Sequence, residues 1–243
     1  MSKNLRSTDT FNFSCHEGLA CFKQCCKDIN IFLTPYDVLR LKQCLGMDSE
    51  EFLEKHTHVL SAPGSGFPVV ILKMREDNLV CPFITDYGCQ VYKARPWSCR
   101  MAPVEVRGKD LYGIAFEKSR CHGLNESKQW TVQEWMENQG LFDYVEPEKL
   151  FEQIPLKIRL TGDKAFDQAI MAIIFMGCYN LDQFRRILRD NPELIGSSQA
   201  DSLTDDLSLM KLAFRRLPEL INEHKKLEVI KSILEKQERV HFS

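Results

Sequence analysis

The sequence predicts an α+β fold: a cysteine-rich first half with short helices and a small antiparallel sheet, then a helical second half. Three observations carry this. Nine of the ten cysteines fall at or before Cys121, and only Cys178 lies beyond it. Strand-like runs bounded by turn residues, such as Pro68 to Met74 and Leu111 to Phe116, occur in the first half. From Asp163 onward apolar residues recur at helical spacing. The boundary is expected near Val145-Glu146-Pro147, which gives a cysteine-cluster domain over 1–145 and a helical region over 146–243.

The elements follow in order. Thr34-Pro35-Tyr36-Asp37 starts a helix: Thr34 can cap, Pro35 suits the first turn and Asp37 complements the dipole. Leu39, Leu41 and Leu45 continue it and Gly46 stops it. Asp48 with Glu51 opens a second short helix. Ser61 to Gly66 reads as a loop, Pro68 to Met74 as a strand and Arg75 to Asn78 as a turn. Val104 to Val106 and Leu111 to Phe116 flank Arg107-Gly108-Lys109-Asp110, a hairpin signal. Thr131 and Glu134 form a capping box for a helix ending at Gly140, to which Trp130 and Trp135 are assigned as packing residues. Helices are expected over Asp163 to Tyr179, Leu181 to Asp190, Pro192 to Ile195, Thr204 to Arg216 and Pro218 to Arg239. Leu220, Leu227, Ile230, Ile233 and Leu234 form a packing stripe on the last of these.

Composition excludes several classes. The chain has 243 residues, 44% hydrophobic and 27% charged, which rules out a disordered or fibrous chain. A formal net charge of -2 gives no support to nucleic-acid or membrane-surface binding. The polar N-terminus lacks the apolar core of a secretory signal, and the run Ala169 to Tyr179 falls short of the ~20 residues a bilayer span needs. A soluble, cytoplasmic protein is expected. Thiols stay reduced there, so the cysteines point to metal rather than to disulfides.

Eight cysteines form two groups: Cys15, Cys21, Cys25 and Cys26, then Cys81, Cys89, Cys99 and Cys121. Eight thiolates suffice for two four-ligand sites, or for one with thiols to spare. There is no Cys-x2-Cys knuckle, which disfavours a zinc ribbon or RING. Cys21 and Cys25 would begin a radical-SAM triplet, but Asp28 stands where the third cysteine belongs. The vicinal pair Cys25-Cys26 is expected to diverge, which suits a multi-iron cluster, or two sites sharing the pair, better than one tetrahedral zinc. Arg95 and Arg100 flank Cys99 and Lys27 follows Cys26, where they can offset thiolate charge. Phe11, Phe13, Phe22, Phe83 and Trp97 can exclude water from a metal site.

These residues resemble a known family. The block Cys15…Cys21…Cys25-Cys26, the helix start Leu33-Thr34-x-x-Asp37, then Cys81-Pro82-Phe83…Cys89-x-x-Tyr92-x-x-Arg95-Pro96-x-x-Cys99-Arg100-x-x-Pro103 and Cys121 are similar to the YkgJ-type cysteine-cluster family. That family is described as a zinc- or iron-chelating domain, and flagellin lysine N-methylases look like its enzymatic branch. The resemblance covers roughly the first half. It implies Cys15, Cys21, Cys25, Cys26, Cys81, Cys89, Cys99 and Cys121 as metal ligands and Tyr92, Arg95 and Arg100 as cofactor-binding positions. It further implies a [4Fe-4S] cluster, S-adenosylmethionine as a cosubstrate and a protein lysine as acceptor.

Two functions follow. One is an iron–sulfur protein with redox or methyl-transfer chemistry, as an oxidoreductase or a protein-lysine N-methyltransferase. The alternative is a zinc-stabilised, non-catalytic binding module. Cys44 and Cys178 are expected to be buried bystanders. His16 and His122 adjoin cluster cysteines and are expected at the surface or behind the ligands; His56 and His58 are assigned no role. No nucleophile elbow, Walker loop or dinucleotide fingerprint is present.

Overall fold

The computed structural model describes residues 4–158, 160, 162–194 and 204–223. In chain order its elements are β1 (Thr10–Asn12), β2 (Phe32–Leu33), α1 (Pro35–Leu45), α2 (Ser49–His56), β3 (Thr57–Ser61), β4 (Pro68–Leu72), β5 (Ile84–Thr85), β6 (Gly88–Cys89), α3 (Trp97–Met101), β7 (Val104–Gly108), β8 (Leu111–Ile114), β9 (Gln129–Thr131), α4 (Val132–Asn138), α5 (Val145–Phe151), α6 (Ile154–Lys157), α7 (Lys164–Cys178), α8 (Leu181–Asp190) and α9 (Asp206–Asn222). This is the α+β arrangement of small antiparallel sheets and a helical C-terminal half. Two compact units form: Met1–Ile31 with Lys73–Val145, and Phe32–Leu72 with Glu146–Ser243.

The first unit is closed by its own ends. β1 pairs antiparallel with β9, placing Phe11 opposite Trp130. Leu5 and Tyr112 exchange backbone hydrogen bonds of 2.9 Å. Around Trp135 gather Phe11, Phe13, Met101, Val104, Leu124, Val132 and Leu141. Phe13 and Trp130 meet the Trp135 ring edge-on at 5.2 and 5.5 Å, an arrangement worth about 0.5–1.5 kcal/mol per pair beyond burial. The indole Nε1 of Trp135 donates to the Met101 carbonyl at 3.0 Å. The β7–β8 hairpin turns where expected, with Asp110 in the left-handed region at φ 47°. Trp130 packs as expected but sits in β9, before the helix that Thr131 caps.

The second unit sets a three-stranded sheet, in the order β2-β4-β3, with α1, α2 and the C-terminal helices. Pro68, Val70 and Leu72 of β4 turn one face inward, the alternation of a half-buried strand. Thr34 caps α1 as read, Asp37 accepts from the Thr34 N–H to complete a capping box that the sequence reading had not named, and Gly46 ends α1 at φ 66°. α7 and α9 approach so closely at Gly177 that an added Cβ would lie 2.9 Å from the Leu217 side chain. Among the described residues no helix is long and apolar enough to cross a membrane.

Two expectations fail here. Cys44 is exposed, not buried. The chain buries Lys42 instead, because Asp182 and Asp206 meet its Nζ at 2.8 and 2.9 Å. Residues two apart on a helix stand about 200° round the axis from each other, so Cys44 turns outward. Second, Pro218 does not begin a helix but lies inside α9. Its missing N–H costs one helical bond, yet Leu217, Leu220 and Ile221 stay buried on a continuous face that holds the helix together. Ile195 and the stripe residues Leu227, Ile230, Ile233 and Leu234 lie outside the described residues.

Candidate metal centre

The eight clustered cysteines all fall in the first unit. The segment from Ser14 to Lys27 is a string of tight turns: Leu19 bonds back to His16, Phe22 to Leu19, Gln24 to Cys21 and Cys26 to Lys23, at 2.9–3.2 Å. Lys23 takes the left-handed region at φ 69° and opens a short 3-10 turn over Gln24–Cys26. That turn directs both vicinal side chains to the same side, and their sulfurs stand 4.0 Å apart. Neighbouring cysteines need not diverge. The spacing is close to the ~3.8 Å expected between two sulfurs on one tetrahedral zinc with bonds of ~2.3 Å.

Cys81 is brought to this turn by backbone pairing. Its N–H donates to the Cys26 carbonyl at 2.8 Å, and Lys27 bridges Val80 antiparallel. The β5–β6 hairpin then returns Cys89 opposite Ile84, whose N–H bonds to the Cys81 carbonyl at 3.1 Å. Lys23 clamps the hairpin through the Thr85 and Asp86 carbonyls at 3.3 and 3.0 Å. Arg75 holds it from the other flank through the Pro82 and Ile84 carbonyls at 3.3 and 2.7 Å. Cys99 is carried on α3 after the Arg95-Pro96 step.

Cys121 arrives from the far end of the unit. The backbone N–H of His122 donates to Cys21 Sγ at 3.2 Å, and Ser14 N–H donates to the Gly123 carbonyl at 3.1 Å. Glycine is required at 123, because a Cβ there would lie 2.6 Å from the Ser14 carbonyl oxygen. His122 thus acts through its backbone. His16 faces Glu126 with Nε2 and Oε2 3.7 Å apart.

The sulfurs feel one another. Burial pushes the Cys15 thiol up to about 11, with negative charge on Cys25, Cys121 and Cys21 adding and Arg95 opposing. Cys25 is lowered to about 7, chiefly by the S–H shared between it and Cys26. Cys26 rises for the same reason, and further through burial and the charges of Cys25, Cys81 and Cys99. Burial raises Cys81, with Cys89 adding and Arg75 opposing. Burial also raises Cys121, with Cys21 and Cys25 adding. A bound cation would relieve this repulsion, since coordination deprotonates thiols outright. As the side chains stand, no three Cys, His, Asp or Glu among the described residues are arranged to hold a metal ion. The donor chemistry, all thiol sulfur, fits a thiophilic metal.

The basic and aromatic residues divide. The Arg95 guanidinium stacks 3.8 Å from the ring centre of the exposed Tyr92 and donates to Gln139 Oε1. Its charge reaches Cys15. Arg100 is buried and turned to main-chain carbonyls: Nε to Arg95 at 2.8 Å, Nη1 to Gln139 at 2.7 Å, and Nη2 to Lys93. Phe11 and Phe13 pack on Trp135, whereas Phe22 lies against Gly88, beside Cys89. Sequence reasoning passed over Arg75, Lys23 and Gln139. A cation six residues before Cys81 was a usable signal for Arg75; nothing local marked Gln139.

Together the fold and the thiols define a metal-binding cysteine-cluster domain. Residues 14–132, which include all eight cysteines, match the family model CxxCxxCC, described as a "Putative zinc- or iron-chelating domain". This stretch of the chain belongs to the YkgJ-type cysteine-cluster family. No curated protein and no solved structure matches the chain.

Proposed function

We propose that the chain is a cytoplasmic iron–sulfur protein, with Cys15, Cys21, Cys25, Cys26, Cys81, Cys89, Cys99 and Cys121 as ligands of [4Fe-4S] centres. The observation that carries this reading is an all-sulfur set of eight donors drawn from one unit and tied across its length, from Cys21 to His122, by an N–H···S hydrogen bond of 3.2 Å. Such bonds, with burial, set the potential of thiolate-bound iron. When bound, the cluster would supply electron transfer or the redox chemistry behind methyl transfer. Lys23 and Arg75 hold the hairpin that presents Cys81 and Cys89, and Arg95 places positive charge near Cys15. Likeness to flagellin lysine N-methylases makes a protein lysine the candidate acceptor, S-adenosylmethionine the candidate donor, and Tyr92 and Arg95 candidate contacts for them.

One observation favours a second reading. The 4.0 Å separation of the Cys25 and Cys26 sulfurs suits a zinc-stabilised binding module as well. Anaerobic purification followed by iron, sulfide and zinc analysis separates the two. A brown protein with equal iron and acid-labile sulfide supports the proposal. A colourless protein with stoichiometric zinc and no sulfide replaces it with the zinc module.

A further inference from the structure

Two of the thiols already face each other. Cys25 and Cys26 lie on the short Gln24–Cys26 turn with their sulfurs 4.0 Å apart. The backbone on either side is pinned. Gln24 N–H donates to the Cys21 carbonyl and Cys26 N–H to the Lys23 carbonyl, both at 3.0 Å, and the Cys26 carbonyl accepts from Cys81 N–H at 2.8 Å. Lys27 then bridges Val80. The turn so held keeps both sulfurs on one side, and rotation about the side chains alone joins or parts them. A disulfide places its sulfurs ~2.05 Å apart, so closure takes about 2 Å of movement. Cys25 is exposed and Cys26 half-buried, so an oxidant meets Cys25 first, with a second thiol beside it.

We propose that Cys25 and Cys26 are a redox pair, closed to a vicinal disulfide by hydrogen peroxide and reopened by a thiol reductant. Peroxide oxidises the Cys25 sulfur to a sulfenic acid and one water leaves. Cys26 Sγ then attacks that sulfur, the S–S bond forms, and the hydroxyl leaves with the Cys26 proton as a second water. Two thiols and one peroxide thus give one disulfide and two waters. Adjacent residues have Cα atoms ~3.8 Å apart, below the ~4.4–6.8 Å that disulfides usually span, so the bond is strained and readily reduced. The consequence for metal rests on the proposed reading of these cysteines as ligands. The disulfide takes two sulfurs out of the donor set, so oxidation and metal loading exclude each other.

The test treats the full, reduced, metal-free chain with one equivalent of hydrogen peroxide under argon, blocks the remaining thiols with iodoacetamide once the peroxide is consumed, and digests with trypsin. Cuts after Lys23 and Lys27 release Gln24-Cys25-Cys26-Lys27, which carries no other cysteine. That peptide is expected unalkylated and two hydrogens lighter than its dithiol form, and it returns to the dithiol when glutathione precedes the blocking step. A doubly alkylated peptide, Cys25 bonded to a cysteine of another peptide, or a bond that glutathione does not open overturns the proposal. Cys26→Ser removes the second sulfur, so dimedone then traps a sulfenic acid on Cys25; no trapping there overturns Cys25 as the sulfur attacked. Uptake of zinc(II), which has no redox chemistry of its own, tests the consequence for metal. The oxidised chain takes up less zinc than the reduced one, and the zinc-loaded chain resists peroxide. Equal uptake by both overturns the exclusion. No uptake by the reduced chain overturns the ligand reading instead, and the peptide map still decides the disulfide.

Discussion

Asp182→Asn removes one negative charge from a largely buried network while keeping the shape of the side chain. Asp182 receives Lys42 Nζ at 2.8 Å, Ser49 N and Oγ at 2.7 and 2.8 Å, and Arg185 Nη1 at 2.7 Å. Burial alone would raise its pKa, but the hydrogen bonds from Lys42 and Ser49 win and lower it to about 2 from 3.8. At ~1.36 kcal/mol per unit, that difference contributes about 2 kcal/mol to folding near neutral pH. The folded pKa is depressed, so the contribution is present above about pH 4 and lost as pH falls toward about 2. An amide also turns an NH2 donor toward Lys42, which adds to the deficit. Urea unfolding followed by far-ultraviolet circular dichroism, which reports the helices of this unit, gives the comparison. The variant is expected to lose about 2 kcal/mol near pH 7 and to converge with the parent as the carboxyl protonates. A deficit under about 0.5 kcal/mol near pH 7, typical of a surface pair, would refute the network argument. An unchanged deficit at the acid end would show that packing, not charge, was lost.

Three further outcomes are expected. Chelation of the loaded protein is expected to open the first unit preferentially, because metal on the proposed ligands would tie segments from Cys15 to Cys121; mapped proteolytic cuts should fall between Cys15 and Ile31 or between Cys81 and Cys121, and cuts confined to α7–α9 would contradict this. In the metal-free, reduced chain, iodoacetamide labels Cys25 with a midpoint near its pKa of about 7, while Cys15, pushed up to about 11, reacts only in alkali; peptide mapping that found the reverse order would reject the shared S–H between Cys25 and Cys26. Glu148→Gln stabilises the second unit: burial raises this carboxyl to about 7 from 4.5, with Asp37 and Glu152 adding and a Thr34 hydrogen bond opposing, so folding loses stability as pH rises through that window. The gain should appear only above about pH 4.5 and level off beyond about pH 7, and its absence in melting curves near pH 8 would count against the raised value.

Much of the local structure was written in short spans of sequence. The Thr34–Asp37 box, the Asp48 cap, the stop at Gly46 and the Thr131–Glu134 box depend on residues three or four apart, and each formed. The cysteine spacing was enough to mark a metal-chelating domain, because ligand type and count are properties of composition. The vicinal sulfurs were less legible. Their separation of 4.0 Å depends on Lys23 entering the left-handed region, which no residue type at that position announces. Pro218 misled for a related reason: its local cost is fixed, but the burial that outweighs it comes from the rest of the unit.

The sequence by itself determined the caps, the hairpin signals, the α+β class and the identity of eight candidate sulfurs. Tertiary structure alone decided the long-range placements. It paired Thr10–Asn12 with Gln129–Thr131, carried Phe32–Leu72 to the helices of the second unit, and set Lys42 rather than Cys44 inward. It also set His122 N–H on Cys21 Sγ and Cys81 N–H on the Cys26 carbonyl. The physical reason is loop closure: bringing residues some hundred positions apart together costs entropy that only burial and hydrogen bonding elsewhere can offset, so no short window of sequence records the outcome.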